Sequence, residues 1–313
     1  MKYIVILLFF FIDLSLFGQE LQWIPFKWEG GEVSGKHFDK LAMKIPVTID
    51  GLPYNYDMQL DLGAVNTTIY QNTFQEYLEM NPEIKSKIDT TLQFTIQGKK
   101  NFKLKDIDLK LGEVSFGKRN IGLFKDFGKE ILKDSLLTKT VKHIGTIAPD
   151  LFQEKILIID FPNKRIAIVN DKINLPHSFL AETQFEPFKN ENGRIKIPLN
   201  IQGKEELLMF DTGSSIFPLG TTKANAVNIG EMQISDTLQV NSWGDKITFY
   251  GRRIEKDVRF GNRILNEALV YADENNVFKE FYDSEQIWGI VGNAFFWNHT
   301  VIIDYKNKLF GIK

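Results

Sequence analysis

Two segments of the chain run an apolar strand into a single acid and then turn at once through glycine. They are MQLDLGAVNTTIY, Met58 to Tyr70, and MFDTGSSIFPLG, Met209 to Gly220. Alone, either Asp-x-Gly is a common turn, because Asp and Gly both favour tight backbone reversals. As a pair, Asp61 and Asp211 have a chemistry available to them. Two carboxylates a few ångströms apart cannot both ionise cheaply, so they share a proton and titrate together. The ionised member can take a proton from water while the protonated one polarises a carbonyl. That device needs neither metal nor cofactor.

Such a pair requires the chain to bring two distant acids to one point, and the sequence is written twice in a way that would do so. GTIAPDLFQEKILIIDFPNKRIAIV, Gly145 to Val169, superimposes without a gap on GIVGNAFFWNHTVIIDYKNKLFGIK, Gly289 to Lys313. Matching pairs include Gly145/Gly289, Ile158/Ile302, Asp160/Asp304 and Asn163/Asn307. Each copy reads as a β-hairpin with its turn at Pro-Asn-Lys or Lys-Asn-Lys. Upstream, KIPVTIDG (Lys44 to Gly51) matches KIPLNIQG (Lys196 to Gly203), and PFK recurs at Pro25–Lys27 and Pro187–Lys189. Asp61 is therefore the internal counterpart of Asp211. Two lobes are expected, 19–171 and 185–313, joined by a linker at 172–184. Short runs rich in Val, Ile, Phe and Thr between Gly, Asn and Asp turns make both mainly β. The clearest helix follows Tyr70, where Phe74, Tyr77 and Leu78 share helical spacing until Pro82 interrupts.

Composition removes other chemistries. The 313 residues contain no cysteine, which excludes disulfides, thiol catalysis and Cys-type zinc sites. Four histidines (His37, His143, His177, His299) are scattered without metal-ligand spacing. Ser214 and Ser215 do not sit in a G-x-S-x-G elbow. Net charge is −2 and the lysines form no basic block, so nothing favours nucleic acid. Residues 1–18, with Lys2 before the run YIVILLFFFI, read as a secretory signal, too short for the roughly 20 residues that span a bilayer. The expected product is exported, periplasmic or extracellular, and has no stable membrane span. Two glycosylation sequons, at Asn66 and Asn298, read as chance occurrences.

These motifs resemble the pepsin-like aspartic peptidases, the bilobal relatives of the retroviral proteases. The resemblance covers nearly all of the chain after residue 18. FDTGSS, Phe210 to Ser215, is similar to the family's hydrophobic-Asp-Thr-Gly-Ser/Thr signature, and the segment from Ile290 looks like its closing segment. The resemblance implies an all-β, bilobal pepsin-like fold with two pseudo-symmetric lobes and an interlobe cleft. It also implies Asp61 and Asp211 as the catalytic pair of an endopeptidase acting on a peptide or protein, with a monomer as the expected state. Thr212 would make a cross-lobe hydrogen bond, Ser214 would bond the outer oxygen of Asp211, and Gly63 and Gly213 would permit the tight turns. The first copy departs from the pattern. Leu62 stands where the family keeps Thr, Ala64 replaces Ser or Thr, Ala148 replaces a Gly, and the flap hairpin expected around Thr91–Lys105 has no Tyr. None of these changes removes a carboxylate. The alternative reading is a weak or inactive protein of this fold that binds a peptide or glycan in the groove. A hairpin is expected at Asn241–Arg253, with core or hairpin packing for Trp243 and Tyr250.

Overall fold

The computed structural model describes residues 21–96, 98–172, 175–242, 245–264 and 268–313. Residues 1–18 and Trp243 lie outside this range. The described chain is mainly β, arranged in three sheets.

An eight-stranded sheet is built from the first half of the chain and a ten-stranded sheet from the second. Each contains the same local arrangement. Strand Tyr56–Leu60 runs parallel to Lys142–Ile147, and Thr68–Tyr70 lies antiparallel on the other side of that strand. In the second sheet Lys204–Asp211 runs parallel to Gly289–Gly292, and Leu219–Thr221 lies antiparallel on its far side. The loop after each acid therefore arches over a central strand. Crossing that closely requires glycine: a Cβ on Gly145 would lie 2.1 Å from the Thr68 carbonyl oxygen, and one on Gly289 would lie 2.2 Å from that of Gly220. The repeated Gly145/Gly289 pair is thus a packing requirement written twice.

The third sheet joins the halves. Its six strands run in the order Trp23–Pro25, Arg165–Val169, Ile156–Asp160, Thr300–Asp304, Leu309–Ile312, Gln184–Pro187. That order is palindromic with respect to the repeats. Ile158 and Ile302, matched in sequence, face each other as antiparallel partners at its centre. The flanking PFK segments play equal parts: Phe26 N–H donates to the Lys164 carbonyl and Phe188 N–H to that of Lys308, both at 2.9 Å. In each hairpin turn the buried aspartate, Asp160 or Asp304, accepts bonds from the backbone and side chain of Asn163 or Asn307.

Helix Gln71–Met80 buries Phe74, Tyr77 and Leu78 and ends at Asn81, ahead of a separate short helix at Pro82–Lys85. The segment between the halves carries helix His177–Glu182. A hairpin of strands Lys27–Val33 and Lys36–Ile49 extends from the first half and touches the second. At its tip Ser34 Oγ bonds Gln239, Lys36 pairs with Asp236, and Lys40 lies 4.4 Å over the Trp297 ring. Val33 and Phe38 pack on Leu238, Phe249 and Tyr271. Among the described residues no helix is long and apolar enough to cross a membrane.

Candidate active site

The two strand-end acids meet. Asp61 and Asp211 lie within hydrogen-bonding reach of each other at the floor of a cleft of about 1030 Å³ lined by both halves. Each loop turns its backbone amides on its own acid. Gly63 and Ala64 N–H groups donate to Asp61 Oδ1 at 3.0 and 3.1 Å, and Gly213 N–H donates to Asp211 Oδ1 at 2.8 Å.

Burial raises both carboxyls above the ordinary range, since a charge surrounded by protein loses its hydration. For Asp61 the hydrogen bond from Asp211, the two backbone amides and the positive charge of Arg194 oppose that rise. For Asp211 burial is reinforced by the neighbouring Asp61 charge, and the carboxyl is pushed up to about 8. The two carboxyls titrate as one coupled pair, in which the Asp61 charge favours Asp211 as the holder of the shared proton. Arg194 reaches this region from strand Arg194–Ile201 and is held by Glu285 at 2.8 Å.

The glycines do something other than permit turns. Neither Gly63 nor Gly213 has a positive φ. A Cβ on Gly63 would fall 2.5 Å from the Asp211 carboxyl carbon, and one on Gly213 would fall 2.7 Å from that of Asp61. Each glycine leaves room for the opposite acid. Sequence reasoning assigned the residues to backbone freedom, but the requirement is space across the interface.

Thr212 is fully buried and ties the halves together directly beneath the acids. Its hydroxyl donates to the Leu60 carbonyl at 2.8 Å and accepts from Leu62 N–H at 2.9 Å. Leu62 has no hydroxyl to return the arrangement, and its side chain is buried in the main core. Ser214 reaches the Asp211 carboxyl through its backbone N–H. Among the described residues no bond runs from the Ser214 hydroxyl to that acid. The buried residue that bonds through its hydroxyl is Ser215, which donates to the Thr212 carbonyl and accepts from Asn293.

The first half supports its loop differently. Thr67, nearly fully buried, donates its hydroxyl to Asp150 Oδ1 at 2.6 Å and accepts from Ala148 N–H at 3.0 Å. Its backbone N–H also donates to Asp150. Ala148 is tolerated where the second half has Gly292. In the second half a Cβ at Gly292 would fall 1.9 Å from the Ser214 carbonyl oxygen. The first loop meets Ala148 through the Thr67 hydroxyl instead.

The hairpin expected around Thr91–Lys105 forms from strands Ile88–Ile96 and Lys99–Leu111 and supplies Thr95 and Ile96 to the cleft, whereas Glu32, Val33 and Ser34, from the N-terminal hairpin tip, had no sequence signal. Tyr70, Phe124, Phe127, Phe281 and Tyr282 add aromatic walls. In the hairpin of Asp236–Ser242 and Asp245–Arg253, Phe249 lines the cleft while its neighbour Tyr250 does not. Among the described residues no cluster of three or more His, Asp or Glu side chains could hold a metal ion. No protein-family model matches this chain, and no curated protein does.

Proposed function

We propose that the chain is an aspartic endopeptidase of the bilobal pepsin-like type, acting on peptides laid in the cleft between its two β halves. The observation that carries this reading is the convergence of Asp61 and Asp211, from duplicated strand ends, on one hydrogen-bonded pair at the cleft floor. Asp61, ionised, takes a proton from a water lying between the acids, and the resulting hydroxide adds to the scissile carbonyl carbon. Asp211, protonated, donates to the carbonyl oxygen as negative charge develops there. Collapse of the tetrahedral diol expels the amine, which receives the proton that Asp61 took up, and Asp211 regains its own. The aromatic walls and a volume of about 1030 Å³ leave room for several residues of a peptide. The run at residues 1–18 supports export to the periplasm or beyond, which N-terminal sequencing of the protein recovered outside the cytoplasm would check.

The reading is tested with Asp61→Asn and Asp211→Asn, each assayed on a diverse peptide mixture from acid to neutral pH. Each should abolish cleavage while circular dichroism stays unchanged. Cleavage undiminished in either variant would overturn it. A binding-only protein of the same fold is favoured by one observation, the Leu62 side chain that leaves the cross-half clasp one-sided. For that reading, no Asp-dependent cleavage appears at any pH although peptides still bind.

A further inference from the structure

The cleft is not symmetric beside the two acids. On the first-half side its floor is polar: Gln59 and Thr146 are strand partners there, and the Tyr70 hydroxyl bonds Thr146. On the second-half side the floor is apolar, a row of Met209, Ile290 and Gly220 on three adjacent strands. Gly220 leaves open space in that row. A Cβ there would meet nothing nearer than the Tyr282 hydroxyl, 3.8 Å away. An apolar floor with an open position would ordinarily suit an apolar side chain. Its upper wall argues otherwise.

That wall carries Arg194 and Tyr282. The Arg194 guanidinium lies 5.4 Å from the Phe281 ring centre, and among the described residues its one hydrogen-bond partner is Glu285, reached through Nη1. Its Nε is buried without a partner. Glu285 is itself shared: it binds Arg194 through Oε1, and it receives the buried Lys196 through Oε2 at 3.2 Å and through its backbone carbonyl. Lys196 pairs with Glu191 as well, at 3.2 Å, so the two cations share two acids; Arg194 lines the cleft with its Nη2 donors unpartnered among the described residues. The Tyr282 hydroxyl faces the same space. The residues lining the cleft otherwise add negative charge at Asp61 and Glu32, with Lys246 the remaining cation. Without Arg194 an anionic side chain would be repelled from a site holding the negative charge of the acid pair.

We propose that Arg194 and the Tyr282 hydroxyl form a carboxylate-recognition pocket, so that the substrate residue seated over Met209, Ile290 and Gly220 carries an acid. The carboxylate belongs either to an internal glutamate or aspartate side chain or to the free terminus of the peptide. This inference rests on the hydrolytic reading only for its kinetic readout, because the pocket can also be followed by binding.

The test uses one fluorogenic peptide series with Glu, Gln, Leu or Lys at each position flanking the cut bond, with a second pair ending there as free acid or amide. A charge-assisted hydrogen bond gives discrimination of about tenfold to a hundredfold. Wild-type kcat/KM should therefore favour Glu over Gln at one flanking position by at least about tenfold. Arg194→Met should bring that ratio close to one, and Arg194→Lys should restore part of it. Tyr282→Phe, which keeps the ring in place and serves if Arg194→Met fails to fold, should lower the ratio a few fold. In parallel, the same peptides are bound to the Asp211→Asn chain and followed by fluorescence anisotropy, with tighter binding expected for Glu. Preference for the free acid over the amide, with internal Glu and Gln equal, identifies the terminal carboxylate as the ligand. Equal kcat/KM and equal affinity for all acid and neutral partners, or a preference that survives Arg194→Met, overturns the pocket. Cleavage without acid preference sinks this inference alone. Acid-selective binding with no cleavage sinks the hydrolytic reading and leaves the pocket standing.

Discussion

Replacing Thr212 by Val removes a single oxygen at nearly constant volume, and the structure fixes what that oxygen does. It donates to the Leu60 carbonyl at 2.8 Å and accepts from Leu62 N–H at 2.9 Å, in a place where Leu60, Leu62 and Thr212 are all fully buried. The substitution strands one backbone acceptor and one backbone donor away from water. Each such group costs about 1–3 kcal/mol when left unpaired, so the expected loss is about 2–6 kcal/mol. Leu62 offers no compensating hydroxyl from the other half. Thr212→Ser keeps the oxygen and loses only a methyl, which costs about 1 kcal/mol. Urea unfolding followed by tryptophan fluorescence at constant m-value reads the difference directly. The reasoning is refuted if Thr212→Val costs no more than Thr212→Ser.

Other expectations concern the acids and the hairpin clasp. Gly63→Ala and Gly213→Ala drive a methyl into the opposite carboxyl, at 2.5 and 2.7 Å from its carbon, so each should lower kcat by at least about a hundredfold through misplacement of the pair; near-normal turnover would contradict the steric account. Asp211 titrates near 8 in the folded chain and near the ordinary value of about 4 when unfolded. Between those pH values the folded state holds a proton that the unfolded state has lost. Stability contributed by this group therefore falls as pH rises through the window, by at most about 1.4 kcal/mol per unit. Asp211→Asn should flatten the slope in urea midpoints, and parallel slopes would speak against it. Cleavage should fail for the same reason as pH rises through about 8, where Asp211 ionises and can no longer donate. The double change Ser34→Ala, Lys36→Ala should cost under about 1 kcal/mol globally because these contacts are exposed. It should nonetheless speed amide exchange at the tip of the N-terminal hairpin and shift KM more than kcat. Unaltered exchange there would show that the clasp does not hold.

What the sequence made legible was whatever is written locally or written twice. The two duplicated hairpins were readable one by one, though not their pairing at Ile158–Ile302, and the spacing of Phe74, Tyr77 and Leu78 located the helix at Gln71–Met80. The matched strand ends singled out Asp61 and Asp211. What escaped reading depends on contacts between distant segments. Nothing near Arg194 announces that strand Arg194–Ile201 aims it at a cleft, and nothing near Ser34 announces a partner at Gln239. Gly63 and Gly213 were visible as glycines, but their reason lies on the opposite loop, which local backbone rules do not address. The resemblance implies a bond from Ser214 to Asp211, and it is the Ser214 amide that makes this contact, while Ser215, one residue on, spends its hydroxyl on the Thr212 carbonyl.

The palindromic sheet also sets a schedule for the newly made chain. Strand Ile156–Asp160 is apolar apart from its terminal acid and buried throughout, yet one of its edges is covered only by Thr300–Asp304, a segment made long after it. Leu309–Ile312, later still, forms the seat for Gln184–Pro187. Until those strands emerge, a sticky ribbon stands open in the middle of the molecule. A chain stopped before Thr300 would keep that seat empty permanently, and such a fragment belongs with aggregates rather than with folded protein.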